Sequence, residues 1–199
     1  MKKSERTRQH IITCASELFN VRGYSGTSMS DIMEATGLQK GGIYNHFDSK
    51  EAIALAAFDH ATKQMARLYS EEIARAGEDA RAQLQGVLRL YARLAEDSPI
   101  PGGCPIMNTA VENDDYDMPG LKERAQVAMQ RWQRFIKRII RDGKAWGQFR
   151  EEVDAEFLST LIIANVEGAL LMSKLHDDIS YMDQIIDFLN EYIEINVLV

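Results

Sequence analysis

The chain has 199 residues, 45% of them hydrophobic, and a formal net charge of −7. That is enough apolar material for one or two domains with a substantial core, and it excludes a disordered polymer. The basic start MKKSERTRQH is followed by IITCASELFN, which polar residues interrupt, so no signal or membrane-spanning segment opens the chain; a soluble, cytoplasmic protein without a membrane partner is expected.

An acidic chain is a poor footprint for nucleic acid, but the charge is uneven. Residues 1–50 hold seven Lys or Arg against five acids, a balance of +2, so the other 149 residues carry −9. A mildly basic head on an acidic body suits a DNA-binding domain over residues 1–50 and a domain with another task over 51–199.

In chain order, residues 4–22 form a first helix, with Ile11, Ile12, Ala15, Leu18 and Phe19 recurring at helical spacing, and Gly23 ends it. Lys2, Lys3, Arg6 and Arg8 make a basic N-terminal arm, suited to phosphate or minor-groove contact or simply solvated. Cys14 packs within the helix. Residues 27–51 read TSMSDIMEATGLQKGGIYNHFDSKE, two short helices around a glycine turn. Ile32, Met33 and Ala35 bury the first, Gly37 supplies the positive φ of its C-terminus, and Ile43 and Phe47 are the inner stripe of the second. That leaves Lys40, Gly41, Gly42, Tyr44, Asn45 and His46 facing outward, donors and an aromatic among glycines. The stretch reads as a helix-turn-helix that grips DNA.

The order Thr27, Ile32, Ala35, Gly37, then Tyr44, His46, Phe47, then Lys50 and Glu51 resembles the DNA-binding signature of the TetR family of one-component regulators. Gln39 stands where the family commonly has a Ser or Thr cap, and Gly42 where a small hydroxyl or methyl residue is common, which leaves base preference open. The resemblance implies an all-α protein: a three-helix DNA-binding domain, then a helical domain for effector binding and dimerisation. Thr27, Tyr44, Lys50 and His46 are assigned to the DNA backbone, Lys40 and Asn45 to base edges, and Gly41 and Gly42 to close approach.

A fourth helix starts at Asp48 or Ser49, where Asp48 with Glu51 makes a capping-box-like pair, and ends near Ala76 before Gly77. Lys50 in its first turn opposes the helix dipole unless a phosphate is present. Residues 79–97 form a helix burying Leu84, Val87, Leu88, Tyr91 and Leu94. All four prolines then fall within 99–120, a loop region around one short helix from Ile106 to about Asn113, with a solvated acidic tip at 114–117. Pro119 opens a long helix to about Ala145, apolar on one side and, on the other, a basic stripe that a solvated face explains. Residues 146–154 connect it to the last two helices, Asp154–Leu175 and Ser180 to about Val197, and resemble a connector common in TetR regulators.

The final pair is more apolar than an outermost pair in a monomer needs. By the same resemblance it forms a four-helix dimer bundle, through Leu161, Ala164, Gly168 and Leu171 on one helix and Ile185, Ile186, Leu189 and Tyr192 on the other. A twofold homodimer suits a palindromic double-stranded operator.

Within the body, Gly103, Cys104, Asn108 and Glu112 resemble a G-C-x-x-x-N-x-x-x-E pattern of one branch of the family, some of whose members sense electrophiles or oxidants through the cysteine. An effector pocket for a small molecule draws on Tyr91, Cys104, Met107, Asn108 and Met129, with Trp132, Asn165, Glu167 and Met172. Asn165 and Glu167 stand out because unpartnered burial in so apolar a helix is costly. Catalysis finds little support: there is no nucleophile elbow, P-loop, HExxH or GxGxxG, and no metal or cofactor is expected. Without CxxC spacing, Cys14 and Cys104 are expected as thiols. The expectation is a repressor released by a small-molecule effector; the alternatives are a thiol sensor acting through Cys104 and, remotely, an enzyme on a DNA-binding head.

Overall fold

The computed structural model of the chain describes residues 2–96, 100–115 and 118–199. Among these residues the secondary structure is α1 (Lys3–Arg22), α2 (Met29–Thr36), α3 (Lys40–Tyr44), α4 (Lys50–Ala76), α5 (Ala80–Glu96), α6 (Pro105–Asp115), α7 (Pro119–Ala145), α8 (Ala155–His176) and α9 (Ser180–Asn196). The fold is all-α, as expected. Pro99 and the side chains of the acidic run 114–117 lie outside the described residues.

Packing divides the chain into two compact units, Met1–Met65 with Ile100–Ala128, and Ala66–Pro99 with Met129–Val199. The boundary expected at residue 50 falls inside the first unit. The reason is α4: its Ile53 and Ala57 complete the core built by Ile11, Ile12, Ala15, Ile32, Ile43 and Phe47, while Ala54 and Phe58 pack with Leu121 and Ala125 of α7. Each large side chain so buried contributes about 2–3 kcal/mol.

In the first unit, Ser28 and Asp31 form a reciprocal capping box at α2, the Asp31 N–H donating to Ser28 Oγ at 3.1 Å and the Ser28 N–H to Asp31 Oδ2 at 2.6 Å. Those bonds from Ser28, more than the nearby Arg22, hold the Asp31 carboxyl below its ordinary value. Gly37 closes α2 in the left-handed region at φ 67°. Two local expectations are corrected. Ala35 is exposed and Thr36 is buried in its place, because Thr36 lies four residues from Ile32 on the same stripe and satisfies its hydroxyl on the Ile32 carbonyl at 2.7 Å. The cap of α4 is Ser49, whose Oγ accepts the Ala52 N–H at 3.0 Å, not the Asp48 and Glu51 pair. The basic residues from Lys3 onward are not a free arm but the first turns of α1, with the Arg8 guanidinium 4.7 Å from the Phe47 ring centroid.

In the second unit, α5 buries Leu84, Val87, Leu88, Tyr91 and Leu94 as its spacing predicts. The helix α8 is long and apolar enough by composition to cross a membrane; here its inner side, including Ile162, Val166 and Leu170, is buried in the protein. Asp154 caps it, accepting the Glu156 and Phe157 N–H groups. The 146–154 connector is tied down near its start. Gln148 donates to the Glu78 carbonyl and accepts from the Ala80 N–H, both at 2.8 Å, and Phe149 is buried in an antiparallel bridge with Leu198. Phe149 comes so near Gly143 of α7 that a methyl group there would overlap its ring and lie 2.8 Å from Ala80 Cβ.

Candidate nucleic-acid interface and effector region

The helix α3 is held by its inner stripe: Ile43 and Phe47 are buried with Ile32 and Ile53. Lys40, Gly41, Tyr44 and Asn45 are exposed as a consequence, with Gly42 and His46 partly so. Lys40 Nζ lies 5.7 Å from the Tyr44 ring centroid, one turn away on the same face. The two glycines are not needed by the interior. Neither has a positive φ, and a side chain at Gly41 would meet nothing within 4 Å, while one at Gly42 would make ordinary contact with Leu38. Glycine at a helix position costs up to about 1 kcal/mol relative to alanine, so these two weaken α3 for no internal gain.

Thr27 is corrected. It is 0% exposed, and its hydroxyl donates to the Gly23 carbonyl at 2.8 Å, which makes it a turn and packing residue and not a DNA contact. Ser28, beside it, is the exposed hydroxyl. Lys50 is partly buried at the start of α4 with Nζ 4.0 Å from the Tyr24 ring centroid. Burial pushes its amine pKa down, against the opposing charges of Glu112 and Asp31.

The residues expected to line one effector pocket fall into both units: Cys104, Met107 and Asn108 in the first, Tyr91, Met129, Trp132, Asn165 and Glu167 in the second. Met172 is exposed on α8 and lines no interior. Asn165 is partly buried and returns its amide to the Leu161 carbonyl of its own helix at 2.8 Å. In the second unit three of the expected residues do converge. The Tyr91 hydroxyl donates to Glu167 Oε1 at 2.8 Å, and the Tyr91 and Trp132 ring centroids are 6.2 Å apart. Tyr69 and Phe135 complete the aromatic cluster, Tyr69 stacking on Trp132 at 3.9 Å. Among the described residues no acceptor reaches the buried Trp132 Nε1. Neither added ring was assigned to a pocket from the sequence; both sit on long amphipathic helices, where core packing looks the same.

The cysteine-containing pattern has a structural meaning. Cys104 is 4% exposed, and its carbonyl accepts the Asn108 N–H at 3.1 Å at the start of α6. Asn108 faces α1: its amide donates to the Asn20 carbonyl, Asn20 Oδ1 and the Gly102 carbonyl at 3.0–3.1 Å. Asn20 in turn donates to the carbonyls of Pro101 and Gly103 at 2.6 and 2.9 Å. One turn further along α6, Glu112 accepts the N–H groups of Tyr24 and Ser25, each at 2.8 Å. Asn108 and Glu112 thus fasten the end of α1 and the turn that leads into α2.

On the last two helices, Leu189 is corrected from interface to core: it is 0% exposed, on one stripe with Met182 and Ile193. Another stripe is open. On α8, Phe157, Leu161, Ala164, Gly168, Leu171 and Leu175 follow one another at steps of four and three, and on α9 Tyr181, Ile185, Phe188, Tyr192 and Ile195 do the same. Leu171 and Leu175 are 53% and 69% exposed. An apolar seam with a 3.5-residue period is the pattern of helices that pack on other helices.

Residues 11–57 match a family model described as bacterial regulatory proteins, tetR family, and residues 80–189 one described as tetracyclin repressor-like, C-terminal domain. A TetR transcriptional regulator from Chloroflexus aurantiacus J-10-FL is 40% identical with a TM-score of 0.94, covering 100% of both chains. A TetR family regulator from Cytophaga hutchinsonii is 34% identical with a TM-score of 0.87, covering 98% of this chain and 96% of that one. The HTH-type transcriptional repressor DhaR of Mycobacterium sp. (strain GP1) is 28% identical over 177 residues, 89% of this chain and 87% of that protein.

Proposed function

The chain belongs to the TetR family of bacterial transcriptional regulators, and from that membership we propose that it is a homodimeric repressor released from a palindromic operator by a small molecule bound in its second unit. The observation that carries the reading is the α3 face. Lys40, Tyr44 and Asn45 stand out from a helix whose inner side is fully committed, beside two glycines that nothing inside the protein requires. Bare backbone there lets a duplex come close, Lys40 and Asn45 reach base edges, and Tyr44, His46 and Lys50 meet phosphates.

The open seam on α8 and α9 supports a partner copy, which would set two α3 helices against two operator half-sites. The cluster of Tyr69, Tyr91, Trp132 and Phe135, with Glu167 on Tyr91 and an unused donor on Trp132, supports an apolar or aromatic effector carrying a hydrogen-bond acceptor. Release requires only that the effector prefer the conformation with the lower DNA affinity. Both α4 and α7 continue from one unit into the other and so connect the two events along the chain.

The test is selection of duplexes from a random-sequence pool, followed by fluorescence anisotropy of the recovered duplex at rising salt. A palindromic site is expected, with affinity falling by roughly 10³ or more between about 50 and 200 mM salt. Recovery of no preferred sequence, or binding indifferent to salt, would sink the proposal.

A further inference from the structure

The turn between α1 and α2 contains a tyrosine whose surroundings are specific. The Tyr24 ring stacks on Phe19 at a centroid distance of 5.8 Å, and Lys50 Nζ lies 4.0 Å from its own centroid. Its backbone is fixed from α6, since Glu112 accepts the N–H groups of both Tyr24 and Ser25. Burial and the carboxylates of Glu51 and Glu112 push the phenol pKa up, so the ring stays neutral. Among the described residues no carboxylate forms an ion pair with Lys50, although Glu112 and Asp31 contribute a favourable field.

We propose that Tyr24 is a positioning residue that presents the Lys50 ammonium to a DNA phosphate, with Glu112 fixing the place of the ring. The choice of partner is what makes the arrangement suit that task. A carboxylate in contact with Lys50 would neutralise it and compete with phosphate. A ring face attracts the ammonium through its quadrupole, leaves the charge intact and leaves the remaining N–H groups for another acceptor. A long lysine side chain otherwise loses rotamer freedom on meeting its phosphate; held over the ring, it has lost much of that freedom beforehand.

The inference rests on the proposed DNA-binding function, and the experiment separates the two. Anisotropy with the duplex recovered by the wild-type chain is measured for Tyr24→Phe and Tyr24→Leu, each in the Lys50 and the Lys50→Ala background, with thermal unfolding of every variant. With Lys50 present, Tyr24→Leu is expected to weaken binding about five- to tenfold and Tyr24→Phe by less than about twofold. In the Lys50→Ala background the Tyr24→Leu loss is expected to vanish, which a merely structural role would not produce. An equal loss in both backgrounds, an equal loss for Phe and Leu, or no loss at all overturns the positioning role while leaving DNA binding in place. If Lys50→Ala itself leaves affinity and salt dependence unchanged, Lys50 meets no phosphate and the inference falls with that assignment. If the wild-type chain recovers no duplex, it is the DNA-binding reading that has failed.

Discussion

The α3 face and the α8–α9 face are both left open by the fold, and they differ in what they leave open. The first offers an ammonium, an amide, a phenol and bare backbone; the second offers hydrocarbon at a regular helical step. Polar groups on α3 lose little by facing water while they wait for a polyanion. Leucine and phenylalanine on α8 and α9 lose stabilisation for as long as they are wet, so that face calls for a permanent partner and the other for a reversible one. The two should therefore respond differently to substitution.

The apolar face should be the more sensitive. Leu171→Glu places a charge in the seam at a site that is half exposed in the protomer, so each protomer should still fold. Light scattering should report monomers, and affinity for the recovered duplex should fall by about 10² or more as bivalent binding is lost. Retention of the dimer would show that the seam is not the interface. On the polar face, Lys40→Ala should cost about tenfold in affinity and relax base preference at one position of each half-site. A uniform loss across all sequences would move Lys40 from the base edges to the backbone.

Smaller still, and opposite in sign for folding and binding, is Gly41→Ala. It should raise thermal stability by up to about 1 kcal/mol while weakening duplex binding. Unchanged binding would mean that the duplex does not approach the backbone there. The smallest effect concerns pH. The folded-state pKa of Asp31 is depressed, so its contribution to stability is complete above the carboxylate's unfolded pKa and is lost as pH falls through the lower folded value. Asp31→Asn should accordingly flatten the acid limb of a stability profile; an unchanged limb would show that the capping box stays intact when protonated.

Much of the frame was legible because it is written in local spacing. The bounds of α7, the cap at Gly37 and the inner stripe of Ile43 and Phe47 all follow from periodicity and backbone chemistry within a few residues. The corrected residues are set by partners that helical spacing does not show. The resemblance assigns Thr27 to the DNA backbone, but its hydroxyl is taken by a carbonyl four residues back. Leu189 and Ile185 lie on neighbouring stripes of α9, and only the packed neighbours decide which faces inward. Asn108 was read as pocket lining although its partner is Asn20, 88 residues away, a distance at which spacing carries no information. The candidate interface was thus readable on α3, where a residue's role is set by its own helix, and unreadable where a turn carbonyl, a packed neighbour or a distant partner sets it.

The contact of Gly143 with Phe149 and Ala80 offers experimental leverage. The end of α7, the connector just after it and the start of α5 touch where the chain allows no side chain at all, so a single methyl group would act as a wedge driven from the inside. Because the wedge would unseat the Phe149 ring, and with it the connector that Gln148 ties to the start of α5, Gly143→Ala is a natural design for a temperature-sensitive regulator. Such a protein would be competent in the cold and lost on warming, and would give a conditional handle on the genes it governs without any knowledge of its effector.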